Sequence, residues 1–145
     1  MKSTVRTLAL TAVSLFLVTA GAPWLKSQIT NDIRAHVDHS FMIGDKTLPP
    51  GDYTFRMMQG TDLSVMSVMD SNGKGIAEFG VRATIDNHRP KHSELVFRRY
   101  GNTEFLNKIF EVGSKTGVQL TETSKQEASL VEQGQHAMEH SEEQR

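Results

Sequence analysis

Cysteine is absent from this 145-residue chain. Disulfides, thiolate nucleophiles, thiolate metal sites and a lipid-anchored cysteine are therefore excluded. An excess of one charge is also missing. The formal net charge is −1, so no strong field directs the chain to nucleic acid or to an acidic membrane. Basic residues concentrate only at Arg89, Lys91, Arg98 and Arg99, with His88 and His92 nearby, and Asp86 and Glu94 interrupt them. That pattern reads as a solvated face rather than a phosphate-binding patch. Aromatics are scarce. The single tryptophan, Trp24, lies close to the N-terminus, away from any place where it could form a sugar-stacking platform. Neither G-x-S-x-G nor H-E-x-x-H occurs, which removes two common hydrolase signatures.

Long apolar runs are missing except at the start, MKSTVRTLALTAVSLFLVTAGAPW. Lys2 and Arg6 precede the apolar stretch Leu8 to Val18, and small residues follow from Thr19 to Ala22. This order is that of a secretory signal peptide. The apolar part falls short of the roughly 20 residues that span a bilayer. Cleavage after Ala20 is favoured over Ala22, because Pro23 would then sit beside the cut and its fixed ring hinders a protease. An uncleaved N-terminal anchor is the alternative. The predicted organisation is a leader over 1–20, a linker over 21–34, a β domain over 35–120, and a short helix with an acidic tail over 121–145. The expected location is periplasmic or secreted.

The body alternates apolar and polar residues with period two, the mark of half-buried strands. Val37, His39, Phe41 and Ile43 share one face of a first strand, and Tyr53 and Phe55 open a second. Between them, GDKTLPPGDYTF crowds two Pro and two Gly into a turn. Pro50-Gly51 suits the centre of a type II turn, where Gly accepts positive φ. A third strand over 62–70 places Leu63, Val65 and Met69 on one face and Met66 and Val68 on the other, as in a central strand or a barrel wall. Asn72-Gly73 predicts a hairpin into a fourth strand over 75–85, with Ala77, Phe79 and Val81 inward. Segments 94–100 and 104–112 complete six strands. The predicted class is all-β, a six-stranded antiparallel meander forming a small sandwich or open barrel. Ser124 and Glu127 resemble a capping box, which predicts a short C-terminal helix that frays into a disordered Gln- and Glu-rich end.

Three segments, FMIGDKTLPPGDYTF (41–55), ELVFRRYGNTEFLNKIF (94–110) and VQLTETSKQE (118–127), resemble a family of small uncharacterised secreted bacterial β-rich proteins. The third segment departs from that family, which carries a Pro and more basic residues where Thr121 and Glu122 stand here. The resemblance implies the layout of strands and export, and no catalytic activity.

Candidate chemistry rests on histidine and methionine. His136 and His140 are four apart and would share a helix face, offering half of a tetrahedral metal site. His36 and His39 would point to opposite faces of a strand. Met57, Met58, Met66 and Met69 fall on strands expected to be adjacent, and thioethers select soft copper, although Met is also a common core filler. The metal candidates are thus His136, His140, Met66 and Met69. Asp45 and Asp52 flank the Pro-rich turn as a solvated carboxylate pair. DSNGKG (70–75) reads as a turn rather than a calcium loop, since Lys74 stands at a ligand position. The leading expectation is an exported, non-enzymatic β-domain binding module without a cofactor, whose partner is another protein or an envelope polymer. No nucleic acid and no stable membrane insertion after leader removal are expected. An edge strand offers a route to a homodimer. The alternatives are a periplasmic copper- or zinc-handling protein using Met and His, and an unrecognised hydrolase.

Overall fold

The computed structural model describes residues 29, 31–58 and 64–144. The proposed leader, Trp24 and Leu63 lie outside them. The all-β class holds, with ten strands rather than six: β1 (Ile33–Val37), β2 (Phe41–Ile43), β3 (Lys46–Leu48), β4 (Gly51–Met57), β5 (Val65–Met69), β6 (Gly75–Ile85), β7 (Glu94–Tyr100), β8 (Thr103–Phe110), β9 (Thr116–Leu120) and β10 (Met138–Glu143). One helix, α1 (Lys125–Glu132), precedes β10. The strands form one sheet that does not close into a barrel, in the order β1-β4-β5-β6-β9-β8. Beyond β8 the sheet forks. β2 and β3 continue one branch, and β7 followed by β10 forms the other.

The added strands β2 and β3 have local causes. The expected first strand breaks at Asp38–Ser40 and yields β1 and β2. The Pro-rich loop contains a small hairpin of its own, β2–β3, with Phe41 opposite Leu48. Its tight turn depends on Gly44, whose φ of 55° lies in the left-handed region. Gly51 is not among the glycines of positive φ, so the expected type II turn at Pro50-Gly51 does not form. The corner into β4 is tied instead by the Tyr53 hydroxyl, which donates to the Pro49 carbonyl. At Asn72-Gly73 the expected hairpin is present. Gly73 has φ 76°, and the Asp70 carboxylate accepts from the Asn72 and Lys74 N–H groups at 2.9 and 3.0 Å.

β6 carries the sheet around a corner. Its first half pairs with β5, from Val65 opposite Gly80 to a bulge at Val68/Met69. Its second half pairs with β9, with Val81 opposite Leu120. β5 is central, flanked by β4 and β6. Its core face is Met66 and Val68, both 0% exposed, while Val65 and Met69 are half-buried. Packing against Phe55 and Phe79 decides this, since either face of the segment is apolar enough. The core gathers Val37, Phe41, Phe55, Phe97, Ile109 and Val118 from both arms of the sheet.

α1 starts where the capping pattern predicts. Ser124 Oγ accepts from the Glu127 N–H at 2.9 Å, satisfying one orphan donor of the first turn. The Glu127 side chain turns away from the cap and meets Arg98 on β7, with Nε 3.0 Å from Oε1. Asp45 accepts from the Lys125 N–H at 2.7 Å. The helix is thereby fastened to two separate parts of the sheet. The tail beyond it is not disordered. It returns as β10 and pairs antiparallel with β7 over six positions, from Met138 opposite Arg99 to Glu143 opposite Glu94. Backbone pairing on an open edge needs no apolar side chains, so a polar segment can supply it. No helix among the described residues is long and apolar enough to cross a membrane.

Candidate functional site

Two of the three terminal strands of the forked sheet, β1 and β10, approach each other without forming a ladder. Gln144, just past β10, reaches across and accepts from the His36 N–H at 2.7 Å. Beside this seam an open groove of about 820 Å³ runs over β1, β4 and the start of the β5–β6 turn, with Glu143 and Gln144 at its rim. Its lining carries both signs of charge. Asp32, Asp52, Asp70 and Glu143 line it together with Arg34, Arg56 and His36. Period-two alternation explains this lining. The faces of β1 and β4 opposite Ile33, Val37, Tyr53 and Phe55 point outward and carry the polar residues. Arg56 donates to Asp32 at 2.8 Å, and this bond holds the Asp32 carboxyl below the ordinary carboxylate range. His36 Nδ1 lies 2.8 Å from Asp52. The groove therefore displays ion pairs that a charged ligand can exchange for its own.

At the other end of the seam is a cluster of histidines and carboxylates. His39, in the bend between β1 and β2, has Nδ1 at 3.1 Å from Asp38 and 3.4 Å from Glu142. Its Nε2 lies 3.1 Å from Glu104 Oε2. His140 Nε2 approaches the same Glu104 oxygen at 3.2 Å. Both rings rest on the core. His140 stacks on Phe97 with centroids 5.7 Å apart, and His39 meets Phe97 edge-on at 5.2 Å. A third group lies on β7, where the fully buried Glu94 accepts from His88 Nε2 at 2.8 Å. Asp86 holds the other ring nitrogen at 3.0 Å. Glu94 first and Asp86 second raise the His88 pKa above the ordinary histidine value.

The residues singled out by spacing are dispersed. α1 ends at Glu132, so His136 and His140 share no helix. His136 is exposed in the connection, and His140 lies on β10. Met66 is enclosed in the core, and Met69, three residues along the same strand, faces the groove. Asp45 binds the start of α1 and Asp52 pairs with His36, so the two carboxylates serve different partners. Arg98 and Arg99 meet Glu127 and Glu104, which breaks up the basic concentration. Glu104, Glu142 and His39 were not legible as a group, because their sequence separations are large and only the return of β10 unites them. The i, i+2 spacing of His140 and Glu142 was the one available hint, as it places both on one strand face. Comparison with protein-family models, curated proteins and solved structures finds no match to this chain.

Proposed function

We propose that the protein is an exported, non-enzymatic binding module, and that its ligand is an extended segment of another protein carrying charges of both signs. The single observation that carries this reading is the open groove beside the seam, lined by carboxylates and by the guanidinium groups of Arg34 and Arg56. β1 and β10 border it as strands that each pair on one side only among the described residues. An extended chain laid there gains backbone partners from a sheet edge and charge partners from the lining. The exchangeable pairs Arg56–Asp32 and His36–Asp52 sit in water-exposed positions and give a bound ligand its register. The leader-like N-terminus and the resemblance to secreted β-rich proteins support a place outside the cytoplasm.

A photoreactive residue placed at Thr54, inside the groove, tests the proposal in living cells. The expected result is a discrete crosslinked protein adduct. Reversing charge at Arg34 and Arg56 removes it, and placing the probe at Glu132 on α1 does not produce it. An adduct insensitive to the charge reversal, or none at all, sinks the proposal. An adduct to polysaccharide would replace the protein ligand with an envelope polymer.

A further inference from the structure

We propose that Asp38, His39 and Glu142 form a binding site for one divalent transition-metal ion of the Zn²⁺ class, and that Glu104 orients His39 from behind. One donor atom from each of the three lies within 4.8 Å of the others. Nitrogen and oxygen ligands bound at about 2.0–2.2 Å sit roughly 3.0–3.6 Å apart around such an ion. The His39 Nδ1 separations of 3.1 and 3.4 Å from Asp38 and Glu142 match that span.

A second argument is the arrangement of carboxylates around the His39 ring. A neutral imidazole carries one N–H and one lone pair. Both nitrogens of His39 face carboxylates: Nε2 faces Glu104, and Nδ1 faces Asp38 and Glu142. With a single N–H on the ring, one of the two nitrogens aims a lone pair at carboxylate oxygen, and a bound metal ion or a second ring proton offsets this. Glu104 is about nine-tenths buried, and its Oε2 has no aligned hydrogen-bond partner. It is the natural acceptor for Nε2–H, which leaves the Nδ1 lone pair for the metal. This carboxylate–histidine–metal relay recurs where a protein fixes the tautomer of a ligating histidine. Charge points the same way. Three carboxylates (Asp38, Glu104, Glu142) and one guanidinium (Arg99, 3.6 Å from Glu104) leave a formal excess of two negative charges before the histidines are counted. One imidazole with two carboxylates suits borderline divalent ions rather than soft copper(I). His140, 3.7 Å from Glu142 Oε1, borders the site on β10. Metal held here would staple β10 to the β1–β2 bend across the open seam, whatever the groove binds.

The test uses the intact mature chain stripped with EDTA and titrated with Zn²⁺ under native mass spectrometry, with Co²⁺ absorption as a second readout. One ion per chain is expected, with Mg²⁺ failing to compete. Glu142→Gln and Asp38→Asn should each weaken Zn²⁺ binding at least tenfold and change the Co²⁺ spectrum. Both positions are solvent-accessible, and circular dichroism verifies their folding. His36→Asn and His136→Asn should bind within twofold of wild type. The proposal is overturned by no stoichiometric uptake, by uptake unchanged in both carboxylate variants, or by loss in the His36 or His136 variant instead.

Discussion

Gly117 on β9 shows how tightly individual positions are set. A Cβ built there would lie 2.4 Å from the Ile109 carbonyl oxygen and 2.5 Å from Phe110 Cδ1. Backbone cannot yield as a side chain can, so Gly117→Ala should lower unfolding stability by about 1–3 kcal/mol in urea denaturation. Gly80→Ala meets only the Thr121 hydroxyl at 2.6 Å, on an exposed side chain that can rotate away, and should cost clearly less in the same assay. His88 makes a second residue-scale prediction. Its folded pKa is raised by Glu94 and Asp86. Its contribution is therefore complete below the unfolded value of about 6.5 and fades as pH rises through the folded one. In thermal melts, the stability advantage of wild type over His88→Gln should be largest near pH 5 and narrow toward pH 8. An advantage that grows with pH would refute the assignment.

Among the elements, α1 and β10 depend most on distant partners. Glu127 is 2% exposed, and Arg98→Ala would leave its carboxylate buried without a counter-charge, a loss of about 3 kcal/mol. Faster hydrogen exchange confined to Lys125–Glu132 and the β7 residues beneath it would report that the helix has undocked. Truncation after Gly134 removes β10 and uncovers the outer edge of β7, together with the ring of Phe97 on which His140 stacks. An unpaired strand edge invites another chain, so size-exclusion chromatography with light scattering should show the truncated protein self-associating where the full chain does not. The strands differed in how legible they were. β6 and β7 occupy the predicted residues, β6 because its alternation is bounded by turn residues and β7 because its apolar run Leu95-Val96-Phe97 stands between the Pro90 loop and the Gly101 turn. β9 is not among the six expected strands; Gly113, Ser114 and Gly117 are turn-forming residue types that mask it, although the glycine at 117 serves close approach. β10 carries no apolar alternation at all. Its strand character comes from the edge it covers.

At the scale of the whole molecule, the chain must be stable without staples. It relies on a core shared by both arms of the sheet and on side-chain contacts across the gap between β1 and β10. The groove and the histidine–carboxylate cluster both lie along that gap, so binding at either would bear on how firmly the ends of the sheet are held. Export is testable at this scale. Mature protein recovered from the cell envelope should have an intact mass beginning at Gly21, and recovery of uncleaved chain from the cytoplasm would contradict it.

The all-β class, the hairpin at Asn72-Gly73, the capped helix at Ser124 and the exclusion of thiol chemistry follow from local pattern alone. They depend on neighbours in the chain and on residue types that are present or absent. The open sheet and its fork at β8, the Met66 face of β5, the return of the tail as β10 and the meeting of Asp38, His39, Glu104 and Glu142 were decided by tertiary structure. Each depends on contacts between segments far apart in sequence, where the gain comes from shared burial and edge pairing rather than from the preference of any one segment.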